Sequence, residues 1–183
     1  MEKLETLSPR EFPIDDRNAE GQAWSVLVIG YGNTLRGDDG VGYRIAETVA
    51  AWGLAGVRSL PCHQLTPELA IDIAQSQRVL FVDALVVSPM STPIPCLEQL
   101  LIDVQVQTSG HSSNPRSLLA IAQALYQKTP QASWLLVPVL NVEFGEILSD
   151  FAEQSMAAAL TTIRCLITAE KDGWGHGAQT ADP

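Results

Sequence analysis

Apolar and polar positions along the chain switch between two periods. Trp24-Ser-Val-Leu-Val-Ile-Gly30 is a short apolar run closed by glycine, the pattern of a strand buried on both faces. From Gly40 to Trp52 the period lengthens. Val41, Ile45, Val49 and Trp52 share one helix face, and Gly53 stands where a helix stop belongs. Val57 to Leu60 predicts a second strand. Thr66-Pro67-Glu68 opens another helix, with a hydroxyl, a proline and an acid each suited to a helix start. Arg78-Val-Leu-Phe-Val-Asp83 is a third strand, apolar until it ends on a carboxylate. A proline-rich stretch from Pro89 to Pro95 leads to a fourth strand, Cys96 to Val106. Asn114-Pro115 starts a helix with Leu118, Leu119, Ala122, Leu125 and Tyr126 on one face. Trp134 to Val139 is a fifth strand, for which Pro138 predicts an edge position. Asp150 and Glu153 have the spacing of a capping box for a last helix that runs to Ala169.

Strands apolar on both faces, alternating with helices, predict an α/β fold. The expected architecture is a three-layer sandwich, with a mostly parallel twisted sheet of about five strands and helices on both faces. Residues 23–171 form a single domain in this reading, between a polar extension (1–22) and a glycine-bearing tail (172–183), both expected to be flexible. In such sheets ligands bind beyond the carboxyl ends of the strands. The loops after Gly30, after Asp83 and before Pro115 are therefore where chemistry is expected.

Composition narrows the function classes. Of 183 residues, 46% are apolar and 17% charged, against about 25% charged in an average soluble protein. A disordered chain is excluded. The net charge is −10, with 21 acidic and 11 basic residues, and no basic cluster is present. Nucleic acid and anionic membrane are therefore poor partners. No uncharged apolar run reaches the length of a membrane span, and the polar start does not resemble a secretory signal. Cys62, Cys96 and Cys165 lie far apart, as expected for reduced thiols in a cytoplasmic protein.

The loop Gly30-Tyr-Gly-Asn-Thr-Leu-Arg-Gly-Asp-Asp-Gly-Val-Gly42 invites comparison with a dinucleotide-binding turn. The third glycine of that fingerprint is missing, because Leu35 occupies its place. Asp38 and Asp39 would also repel a phosphate at the following helix. No nucleotide is expected. One of the two acids can cap that helix, and the other can point into the crevice. Asp83 ends an apolar strand, where a carboxylate must be hydrogen-bonded, paired or metal-bound. Of three histidines, His176 lies in the tail, His63 follows the second strand beside Cys62, and His111 sits in a loop of small residues. Adjacency of Cys62 and His63 is weak evidence for a thiol nucleophile. Asp39, Asp83 and His111 come from three loops at one sheet edge and make a mixed oxygen and nitrogen donor set. That set suits nickel, zinc, iron or manganese, with coordination positions left open.

At these residues the chain resembles the nickel-iron hydrogenase maturation proteases. The glycine-rich loop is similar to their signature, and Val79-Leu-Phe-Val-Asp83-Ala and the Ser-x-His segment at His111 follow in the same order, within a resemblance that spans Trp24 to Ala169. His63-Gln-Leu-Thr-Pro-Glu-Leu69, Asn114-Pro115-Arg and Phe144-Gly-Glu-Ile-Leu-Ser149 are most similar to the subgroup serving the bidirectional, NAD-linked Hox hydrogenase. The resemblance implies a cytoplasmic, acid-dependent (aspartyl-type) endopeptidase, expected to be monomeric. It would remove a C-terminal extension from the large-subunit precursor after nickel insertion. It also implies that Asp39, Asp83 and His111 are both the catalytic and the metal-contacting residues, and that the nickel is carried by the substrate. Some members have Glu where this chain has Asp39, and many carry an Asp-Gly-Gly-like stretch where it reads Pro61-Cys-His-Gln64. His63 is expected near the crevice but not on the metal. A non-catalytic module that senses a nickel-loaded partner would use the same three residues.

Overall fold

The computed structural model describes residues 24–101, 114–128 and 130–168. The predicted extension and tail lie outside these residues, as does the second half of the predicted fourth strand. The elements in order are β1 (Trp24–Tyr31), a 3₁₀ turn (Gly37–Gly40), α1 (Val41–Ala51), β2 (Val57–Cys62), α2 (Leu69–Ala74) and β3 (Ser76–Val86). They continue with β4 (Cys96–Leu100), α3 (Pro115–Tyr126), β5 (Gln131–Val139) and α4 (Asp150–Thr168). No helix among them is long and apolar enough to cross a membrane.

The five strands form one sheet in the order β2-β1-β3-β5-β4. All neighbours pair in parallel except β4, which runs antiparallel to β5. Alternation along the strands divides the core into two. Val26, Val28, Leu80, Val82, Leu135 and Val137 face α1 and α4, whose Val41, Ile45, Val49, Ala159 and Ile163 are buried against them. Leu27, Ile29, Val79, Phe81 and Ala132 face α2 and α3, through Ala70, Ile73, Leu118 and Leu119. This is the expected three-layer α/β sandwich, and its double-sided burial explains why the strands read as continuous apolar runs.

Three local expectations are corrected. Strand β5 is internal, between β3 and β4. Pro138 is tolerated because β4 pairs only with Ala132 to Leu136, so no strand on that side needs its missing N–H. Helix α2 begins at Leu69, after a turn in which Thr66 and Pro67 accept from the Leu69 and Ala70 amides (3.1 Å each). Helix α4 is capped by Ser149 and not by Asp150: the Ser149 Oγ accepts from the Ala152 N–H at 3.2 Å. The Asn114-Pro115 start is as predicted, with the Asn114 Oδ1 accepting from the Ser117 N–H at 2.9 Å. Gly53, at φ +58°, follows the end of α1.

Candidate functional site

From β1 the chain crosses to β2 on one side and then returns to β3 on the other. The carboxyl ends of β1 and β3 are therefore the point where the winding reverses and a crevice opens. At Gly32, φ is +144°, and its N–H donates to the Cys62 carbonyl at 3.2 Å, so the chain turns away from β3 toward β2. Helix α1 then starts hard against both strands. A Cβ on Gly42 would lie 2.5 Å from the carbonyl oxygens of Tyr31 and Val82, so only glycine permits this approach.

The two neighbouring acids have separate tasks, and neither caps α1, which has no side-chain cap. Asp38 is buried, 1% exposed. Its Oδ2 accepts from the Asn141 N–H (2.9 Å), the Leu140 N–H (3.3 Å) and the Ser149 Oγ (2.8 Å), and its Oδ1 from the Ser149 N–H (2.7 Å). It ties the glycine-rich loop to the segment that joins β5 to α4. That tie is reinforced where the Gly37 N–H donates to the Gly145 carbonyl (2.6 Å) and the Gly145 N–H to the Leu35 carbonyl (2.9 Å). Asp39 is half-buried, and its Oδ2 accepts only from the Asn33 N–H, at 2.8 Å, among the described residues. The loop is thus rigid through Asp38 and chemically available through Asp39.

Asp83 lies one residue past the last β1–β3 pair, Gly30 with Val82, on the face that carries Phe81 and Val79. Tyr31 is the next residue of β1 on the same face, and its hydroxyl lies close enough to the Asp83 carboxylate for each to perturb the other. Burial, with the Asp83 charge, pushes the Tyr31 hydroxyl well above the ordinary range, so Tyr31 keeps its proton. The buried indole N–H of Trp134 closes no hydrogen bond of regular geometry, but it lies near enough to the Tyr31 oxygen to oppose that rise. Asp83 also accepts from the Ala84 N–H on Oδ1, at 2.9 Å. Burial raises its proton affinity above the ordinary carboxylate value; the Tyr31 hydroxyl and the Ala84 N–H oppose the rise, and the charge of Asp39 adds to it. The charge of Asp39 thus reaches Asp83 from the glycine-rich loop.

The third expected residue, His111, lies outside the described residues, as does His176. Among the described residues no three His, Cys, Asp or Glu side chains come together as a metal site. His63 ends up exposed after β2, stacked on Tyr43 of α1 with ring centroids 5.1 Å apart. Cys62 turns the other way, toward the Gly30 carbonyl at 3.8 Å, and burial pushes its thiol up to about 11. Burial thus opposes the thiolate form that a nucleophile needs.

No protein-family model matches the chain, and no curated protein matches it. Solved structures do. The [NiFe] hydrogenase maturation protease HycI from Thermococcus kodakarensis KOD1 superposes with a TM-score of 0.61 at 19% identity, covering 79% of this chain and 92% of its own. The hydrogenase maturating endopeptidase HybD from E. coli gives 0.57 at 21% identity, covering 81% and 93%. An endopeptidase from Escherichia coli gives 0.60 at 19% identity, covering 80% and 93%. The fold is that of the hydrogenase maturation proteases. At this identity the likeness to the maturation proteases is one of architecture.

Two residues of that geometry carried no signal as functional positions. Tyr31 falls just past the predicted strand, in the glycine-rich loop, and only the β1–β3 register sets it against Asp83. Ser149 reads as one residue before a helix. Only the fold brings its hydroxyl to Asp38, 111 positions earlier in the chain.

Proposed function

We propose that this chain is an endopeptidase that removes the C-terminal extension of a nickel-iron hydrogenase large-subunit precursor once nickel has been inserted. What supports this reading is the charge of Asp39 acting on Asp83 at the switch point of the sheet, within a fold shared with maturation proteases. The E. coli protein with this fold is a hydrogenase maturating endopeptidase. The finer reading, drawn from the segments quoted above, is a cytoplasmic monomer that serves the Hox hydrogenase.

The two acids differ in surroundings and hence in role. Asp83, with its proton affinity raised by burial and by Asp39, is suited to take the proton of the attacking water. Tyr31 fixes its orientation and remains a donor throughout. Asp39, held through one oxygen by the Asn33 amide, has the other for a cation. With His111 it would complete the coordination of nickel already seated in the precursor, a metal that accepts this mixed donor set. Selection of loaded precursor then follows from differential affinity.

The decisive experiment is mass spectrometry of the large subunit after incubation with substoichiometric protein. Nickel-loaded precursor should lose its C-terminal extension over many turnovers, while metal-free precursor stays intact. Binding of loaded precursor without shortening would instead identify a sensing module. Efficient cutting of metal-free precursor would refute recognition through substrate-borne nickel.

A further inference from the structure

Strand β3 outruns its neighbour. Its pairing with β1 ends at Val82, but its pairing with β5 continues to Val86. Residues 83–86 therefore carry a strand on one side only, among the described residues. The direction of their main-chain groups follows from three observations. The Val87 N–H donates to the Val139 carbonyl of β5 at 2.9 Å, so the groups of Val87 and Leu85 face β5. With a period of two, those of Val82, Ala84 and Val86 face the crevice. The Val82 carbonyl lies against Gly42 on the β1 side, and the Ala84 N–H is taken by the Asp83 carboxylate and not by β5.

Free edges are ordinarily blunted by lysine, proline, a bulge or a covering element. Ala84-Leu85-Val86 has no such residue, and both Leu85 and Val86 are exposed, Val86 to 59%. The edge starts at Asp83 itself, so a chain paired to it runs directly into the crevice between the two acids. We infer that residues 84–86 of β3 bind the extended C-terminal segment of the substrate as an added strand, with the Val86 N–H and the Ala84 and Val86 carbonyls bonding its main chain. This rests on the endopeptidase reading and names how its substrate is held. Main-chain pairing supplies affinity for any extended sequence, and the exposed Leu85 and Val86 side chains, on opposite faces of the strand, meet alternate side chains of the guest.

The test uses the full chain and nickel-loaded precursor. Val86→Pro removes the crevice-facing N–H but no bond to β5, so thermal stability should stay near wild type. Its kcat/KM for processing should fall about ten-fold, mostly through KM, as the loss of one main-chain hydrogen bond implies. Val86→Ala, which also trims the side chain but keeps the N–H, should retain several-fold more kcat/KM than Val86→Pro, and equal losses in the two would overturn the main-chain bond. A second arm leaves the protease untouched: proline placed singly through the precursor around the cleavage point should impair processing at alternate positions. Wild-type kcat/KM in Val86→Pro, or proline sensitivity without a period of two, overturns strand addition alone. Wild-type protein that leaves loaded precursor uncut removes the functional reading and this inference with it.

Discussion

Adjacent aspartates with opposite phenotypes offer the sharpest test of the site. Asp38→Ala leaves four donors without their acceptor: the amides of Leu140, Asn141 and Ser149 and the Ser149 hydroxyl. Hydrogen bonds to a charged group contribute about 1.5–3 kcal/mol each, but they do not add fully. Removing the carboxylate also relieves its own desolvation. A net loss of about 3–5 kcal/mol is expected. For a chain of this size that lowers Tm by roughly 6–20 °C. Asp38→Asn is no rescue, because one amide group cannot accept on both sides. Whichever way it turns, an NH₂ faces donors, at a cost of about 1–3 kcal/mol. Asp39→Ala loses one bond, from the Asn33 N–H, at a half-buried position, and should cost about 1 kcal/mol. Its processing of loaded precursor should nevertheless be abolished. Thermal denaturation and the C-terminal mass of the large subunit read the two effects separately. Wild-type Tm in Asp38→Ala would refute the structural role of that carboxylate. Wild-type processing by Asp39→Ala would refute the site.

Tyr31→Phe removes the donor that opposes the rise in Asp83 proton affinity, so the acid limb of the pH–activity profile should move to higher pH, with a loss in kcat of about ten-fold or more. Asp83 binds its proton more tightly folded than unfolded. Its ionisation therefore subtracts stability as pH rises from the ordinary carboxylate value through the higher folded value. Asp83→Asn should flatten that part of the urea-midpoint-versus-pH curve and leave the protein at least as stable at neutral pH, but inactive. Gly42→Ala sets a methyl 2.5 Å from the Tyr31 and Val82 carbonyls and should destabilise by about 1–3 kcal/mol, measured by urea unfolding. Ser149→Ala removes both the α4 cap and a bond to Asp38, for a loss of about 1–2 kcal/mol by the same measurement.

Strand and helix positions were legible because burial on both faces makes each strand a continuous apolar run, and helix faces repeat at their own period. Asp83 was legible for the same reason: a carboxylate closing such a run must be compensated. The limits of that reading are equally physical. Pro138 reports a missing hydrogen-bond partner, but a strand can lack one locally, where a short neighbour stops, and still lie inside the sheet. Asp38 and Asp39 are alike in sequence, and either could cap a helix. Their roles separate only when the β5–α4 segment arrives with four donors for one of them. Tyr31 gains its partner from a parallel register, which depends on where β3 is set beside β1 and on no local pattern. The sequence by itself thus determined which segments are strands and helices and which acids stand at strand ends, because those follow from local period and burial. The tertiary structure alone decided which acid holds the loop and which faces the crevice, and how far β3 extends past its neighbour, because those depend on contacts between segments more than a hundred residues apart or on strand register.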